Sequence, residues 1–152
     1  MKFGGGLVAV LLLAACAGGG GGGVDGAPLQ ITTFAPSISS EGDVDLALAF
    51  SNTSGRDFKY VELRLAAYDV AGRRVAGGGL DKNVTLSGPY LAGKGSGPIA
   101  LKGVWVASDI RCLEVSQAKV TFLDYSTQIL SGPSANQLVA NDSRRVCHAD
   151  GG

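Results

Sequence analysis

From residue 44 to residue 51 large apolar side chains alternate strictly with small or charged ones. Val44, Leu46, Leu48 and Phe50 stand against Asp45, Ala47, Ala49 and Ser51. A period of two puts each set on its own face of an extended chain, so this stretch reads as a half-buried strand of an antiparallel sheet. The polar run from Asn52 to Asp57 turns the chain. From Phe58 to Tyr68 the alternation returns, with Val61, Leu63, Leu65 and Ala67 on one face and Glu62 and Arg64 on the other. Once two such strands exist, their common apolar face must be covered, and the rest of the chain offers only more strands. Leu29 to Phe34 precedes them, with Pro36 and the polar cluster from Ser39 to Asp43 expected to end it. Further strands are expected at 73–76, 83–87, 98–106, 110–115, 119–124 and 127–130. Gly88 to Gly93 is expected to form a turn-rich corner, and 134–141 a short helix. Seven or eight short strands with frequent turn signals and no long helical period point to an all-β protein, an antiparallel β-sandwich.

Of the 152 residues, the Gly-rich, nearly uncharged N-terminus is not part of that pattern. Setting it aside leaves about 125 residues, enough for one hydrophobic core and too few for two. With 13 basic and 13 acidic side chains the chain carries no electrostatic footprint for nucleic acid.

Met1 and Lys2 give a minimal positive start. Leu7 to Leu13 is an apolar run, and small residues follow at once. This is the layout of a secretory signal peptide, and it is too short to span a bilayer comfortably. Leu13-Ala14-Ala15-Cys16 resembles the lipobox of bacterial lipoproteins: Leu, two small residues, then the Cys that becomes the acylated N-terminus. The resemblance implies a signal peptide over 1–15, lipid attachment at Cys16 and anchoring in the bacterial cell envelope. Ala17 stands where that family places an Asp for inner-membrane retention, which implies sorting to the outer membrane. The competing reading is ordinary cleavage after Ala17, since Ala15-Cys16-Ala17 also fits the A-x-A pattern. The unbroken run Gly18–Gly23 makes residues 16–28 a tether, with a typical span of roughly 17–20 Å as a flexible coil.

Three cysteines is an odd number. If Cys16 carries lipid, Cys112 and Cys147 remain as a pair, and an oxidising compartment favours a disulfide. It would close a loop of about 35 residues, worth roughly 3–4 kcal/mol in the chain-entropy account. It would also pin the tail, residues 131–152, to the domain at 29–130. Two unpaired thiols in a cytosolic protein is the other reading.

The segment from Val44 to Leu130 resembles a small immunoglobulin-like domain of bacterial envelope proteins, the FxLYD-like group. The residues that carry the likeness are Phe50-Ser51-Asn52-Thr53-Ser54, Ala67-Tyr68-Asp69 before Gly72, Gly88-Pro89-Tyr90, Trp105, Cys112-Leu113-Glu114-Val115 and Val120-Thr121-Phe122-Leu123-Asp124. The resemblance implies an immunoglobulin-like sandwich and brings no catalytic residues. Both cysteines follow Trp105, so a bridge between them would tie the tail rather than cross the two sheets as in antibody domains.

Several stretches invite a chemical reading and are weighed against plainer ones. Gly88 to Gly95 nearly spells a phosphate-binding loop, but Gly95 replaces the required Ser or Thr, and Gly97-Pro98 does not open a helix. His148 is the one histidine, too few for a zinc set, and no G-x-S-x-G elbow accompanies it. Glu41, Asp43 and Asp45 could face a calcium ion but also suit a solvated strand edge. Arg73-Arg74 and Arg144-Arg145 are isolated basic pairs. Phe58, Tyr60, Tyr68, Tyr90 and Tyr125 are aromatics that could reach a surface. The expectation is a non-enzymatic, lipid-anchored envelope protein. It has no catalytic or metal residues, no cofactor, a membrane contact through its lipid and an envelope protein as partner. The alternative is a small-ligand or metal-binding carrier.

Overall fold

A computed structural model describes residues 26–75, 81–106 and 109–147. Residues 1–25, which hold the expected signal peptide, Cys16 and most of the expected tether, and His148 lie outside the described residues.

Seven strands form two antiparallel sheets. Strand β1 (Leu29–Ile38), β2 (Asp43–Asn52) and β5 (Ile99–Val106) make one, in the order β1-β2-β5. Strand β4 (Lys82–Tyr90), β3 (Phe58–Tyr68), β6 (Cys112–Phe122) and β7 (Thr127–Ser131) make the other, in the order β4-β3-β6-β7. Immunoglobulin constant domains place their first, second and fifth strands in one sheet and their third, sixth and seventh in the other. This chain does the same, with its fourth strand on the edge beside β3. The fold is an immunoglobulin-like β-sandwich.

The alternation read from the sequence supplies the core. Val44, Leu46, Leu48 and Phe50 of β2 face Phe58, Val61, Leu63 and Leu65 of β3, and all eight are buried. Trp105 of β5 and Val120 and Phe122 of β6 join them. Phe50 meets Tyr90 edge to face across the sheets at 4.7 Å, and Phe58 meets Phe122 at 5.7 Å.

Four expectations about the strands and their ends differ from the structure. Pro36 does not end β1, which runs on to Ile38; β1 is an edge strand, where a missing N–H costs no ladder bond. Gly88-Pro89-Tyr90 is not a corner but the end of β4, also an edge strand, with a cis Gly88–Pro89 bond. Gly88 lies so close to its neighbours that a Cβ there would meet Tyr90 N at 2.7 Å and the Phe58 carbonyl at 2.8 Å. The two strands expected at 110–115 and 119–124 are one strand, β6. Its pairing with β3 shifts between Arg64 and Leu65, leaving Ser116 as an extra residue. That bulge returns Val115 and Leu113 to the inner face beside Ala118 and Val120, which a strict period of two hides. Around 73–76, the described part contains only an isolated bridge from Arg74 to Tyr68.

The C-terminal tail belongs to the domain. Helix α1 is a single turn, Pro133–Asn136, shorter than the expected 134–141. After it, Leu138 O accepts from Ile31 N–H and Ala140 N–H donates to Ile31 O, both at 2.8 Å. The tail thus extends the sheet beyond β1, and Ala135, Leu138 and Val139 complete the core. Its described part ends in a disulfide between Cys112 and Cys147, whose Cα atoms are 5.5 Å apart.

Candidate functional site

Strand β7 pairs only with residues 117–121 of β6. The other half of β6 would show an open edge, and the tail takes it over. Gly132 N–H donates to Ser116 O at 2.9 Å, and the Asn136 side-chain oxygen accepts from Val115 N–H at 3.3 Å. Cys147 N–H donates to Glu114 Oε1 at 2.6 Å. Between the outer face of the sheet and this tail lies an open-sided groove of about 530 Å³. Tyr68, Glu114 and Ser116 line it from the sheet, Arg74 from the loop after β3, and Asn136 and Arg144 from the tail.

The groove brings side chains of both charges together over a largely apolar lining. Arg74 forms an ion pair and a short hydrogen bond with Asp81. The Ser116 hydroxyl lies 3.0 Å from Asp81 Oδ2 and 3.1 Å from the Arg64 carbonyl, within reach of both. Burial works against the Asp81 anion, but the bonds from Arg74 and Ser116 and the charges of Arg74 and Arg64 hold its carboxyl below the ordinary value. The bond to Asp81 raises Arg74 in turn. Burial, then the charge of Glu114, pushes the Tyr68 phenol up. Glu114 is only 8% exposed, which a carboxylate tolerates when it accepts hydrogen bonds. Such a site can hold a small polar molecule or the side chains of a partner.

Of the residues singled out in the sequence, the structure gathers Tyr68, Arg74, Arg144 and the Cys112–Cys147 pair around this groove. Glu114, Ser116 and Asn136 were missed. A Glu between Leu113 and Val115 in an apolar strand was the available signal, because a buried carboxylate demands a partner.

The other candidates separate. Asp45 accepts from Lys102 Nζ and from Gly103 N–H, each at 2.9 Å, while Ser39 Oγ accepts from the N–H groups of Glu41 and Asp43. Among the described residues no three His, Cys, Asp or Glu side chains are grouped to hold a metal ion. Gly88 to Gly95 leads into β5 and not a helix: Gly93 N–H and Lys94 O bond the backbone of Asn52. Arg73 pairs with Asp69. Phe58 is buried in the core, Tyr90 is half-buried, and Tyr60 and Tyr125 are exposed.

Comparison with family models, with curated proteins and with solved structures finds no match.

Proposed function

We propose that the protein is a non-enzymatic, lipid-anchored module of the bacterial cell envelope that offers its groove to a protein partner. The observation that carries this reading is polarity of arrangement. The described chain begins at the end of the sandwich where β2 ends and β3 starts: Gln128 Nε2 donates to Gly26 O, and Thr53 Oγ1 to Ala27 O. The groove lies at the other end of β3, whose eleven residues span roughly 35 Å. A domain acylated at Cys16 would therefore be tethered by the end opposite its groove. The lipobox-like Leu13-Ala14-Ala15-Cys16 and the glycine run supply the anchor and the tether in this reading. Acylation of Cys16, outer-membrane sorting and kinship with the FxLYD-like group belong to the proposal.

A photo-crosslinking side chain at Gln137, on the groove rim, tests it in the native envelope. One dominant product is expected, lost when Arg144→Glu reverses the charge of the groove and absent when the probe sits at Ser87. Products independent of Arg144 and equal at both positions would end the reading. A second reading, a small-ligand carrier, is favoured by the groove's volume, which falls in the range of small-molecule sites. Native mass spectrometry of the purified protein distinguishes it by a bound small molecule that Arg144→Glu releases.

A further inference from the structure

The pole through which the chain enters carries a second surface. Leu91, between β4 and β5, and Leu123 and Tyr125, between β6 and β7, are 53%, 52% and 68% exposed. Asp57 clasps the two loops together. Its carbonyl accepts from Leu123 N–H at 3.3 Å, and its Oδ1 accepts from Ala92 N–H at 2.8 Å. Lys59 donates to the Tyr125 hydroxyl, with Nζ 4.0 Å from the ring centroid. Tyr60 and Pro89 continue the surface, lining a shallow hollow with Lys59 and Leu123.

Tyr125 sits at φ 64°, the left-handed region that suits Gly, Asn or Asp at a turn tip. The Asp124 carboxylate holds this turn by accepting from Ser126 N–H at 3.0 Å. A bulky aromatic is thus kept in an unfavourable backbone conformation and left in solvent, where it does nothing for the core. Strain of this kind points to a use. Exposed leucines beside tyrosines and lysines match the composition of a membrane–water boundary, where amphipathic rings and lysine stems lie at headgroup level.

Charge and chain path select the occupant. Arg56 pairs with Asp124 at 2.6 Å, whereas Lys59 and Lys94 form no ion pair among the described residues. Cys16 precedes Gly26 by ten residues, at most roughly 35 Å of extended chain, so this pole is the one kept nearest to an acyl group on Cys16. We infer that this pole is a membrane-contact surface, with Leu91, Leu123 and Tyr125 seated among lipid headgroups and Lys59 and Lys94 facing lipid phosphates, an inference that rests on the anchored reading. Contact of this kind orients the groove outward, which the glycine tether alone would not do.

Hydroxyl-radical footprinting of the full chain in vesicles of phosphatidylethanolamine and phosphatidylglycerol tests it without altering the surface. The reference is the same protein released by a glycyl-glycine endopeptidase cutting in Gly18–Gly23 and separated from the vesicles, its mass confirming a single cut. Oxidation of Leu91, Leu123 and Tyr125 should fall several-fold on the vesicles, with Val70 and Val146 at the opposite pole unchanged. Equal oxidation in both states, with Cys16 acylated by mass spectrometry, would overturn the inference and leave the anchor standing. Protection at Val70 and Val146 instead would also overturn it. If Cys16 proves unmodified, the anchored reading fails, and footprinting with vesicles in excess decides the surface by itself. Protection of the three side chains would then sustain it, and none would overturn it.

Discussion

The two ends of the sandwich are held together by different means. At the entry pole much of the work is done by one buried side chain, beside the Asp57 clasp. Asn52, 1% exposed, donates from Nδ2 to Arg56 O at 2.8 Å and to Tyr90 O at 3.0 Å. Its Oδ1 accepts from Ser54 N–H and the Ser54 hydroxyl, and its backbone pairs with Gly93 and Lys94. The loop after β2 and the loop after β4 therefore converge on one residue. At the groove pole a separate segment is laid over a half-paired strand, bonded to it through Asn136 and Glu114 and riveted covalently at Cys147. The first end is stabilised by hydrogen bonds that the folded core creates. The second depends on a bond that a reductant can remove. The groove is thus the more conditional part of the molecule.

Removing the rivet should have the largest effect. Cys112→Ser with Cys147→Ser reopens a 35-residue separation and should cost roughly 3–4 kcal/mol in urea unfolding. Proteolysis should begin in the tail after Val139, while amide exchange at Asn52 and Gly93 changes only by the global loss. Tail cleavage as slow as in the wild type would show that the Ile31 pairing and the buried Ala135, Leu138 and Val139 hold it unaided.

Asn52→Ala attacks the other end. It strands the carbonyls of Arg56 and Tyr90 and should cost about 3 kcal/mol. Exchange should accelerate in 53–57 and 91–97, with the disulfide intact and the tail still resistant to protease. Faster tail cleavage beyond the global loss would mean that the poles are coupled. Gly88→Ala should follow at about 2 kcal/mol, because its Cβ would press on backbone at Tyr90 and Phe58 that cannot yield without moving the β3–β4 pairing. A loss below about 0.5 kcal/mol in the same titration would show that this edge gives way easily.

The contrast also explains what could be read beforehand. The strands at 44–51 and 58–68 announce themselves because each has one wet face, and the period of two survives. Strand β6 does not, since the Ser116 bulge breaks its phase and Glu114 interrupts its apolar run. Edge strands β1 and β4 tolerate Pro36 and Pro89, so a proline taken as a stop was only a mark of the edge. The cysteine pair was legible by elimination; what it builds was not. Tyr68, Arg74, Glu114 and Arg144 are spread over some 75 residues of chain; the β3–β6 pairing and the Tyr68–Arg74 bridge gather the first three, and only the tail's return adds Arg144. Asn52 looked like one more polar turn residue, and nothing local distinguishes a buried amide from a solvated one.

The smallest effect expected is on pH dependence, and it too separates the poles. Behind the groove, bonded to Arg74 and Ser116, Asp81 has a folded-state value below the unfolded one, so its contribution is present above the unfolded value near about 4 and fades as pH falls through the folded value. Tyr68 lies above its unfolded value, so stability is lost as pH rises past about 10, where the unfolded phenol ionises and the folded one does not. Tyr90, at the entry pole, is also raised, by burial alone, and adds to the alkaline loss. Asp124 at that pole is lowered by its bonds to Ser126, but it is exposed and contributes little. Asp81→Asn should therefore flatten the acid limb of the stability profile, whereas Asp124→Asn should leave it nearly as steep. Tyr68→Phe should relieve part of the alkaline limb, with the remainder due to Tyr90. An acid limb unchanged by Asp81→Asn would shift the acid sensitivity away from the groove, and the groove pole would then be conditional on its disulfide alone.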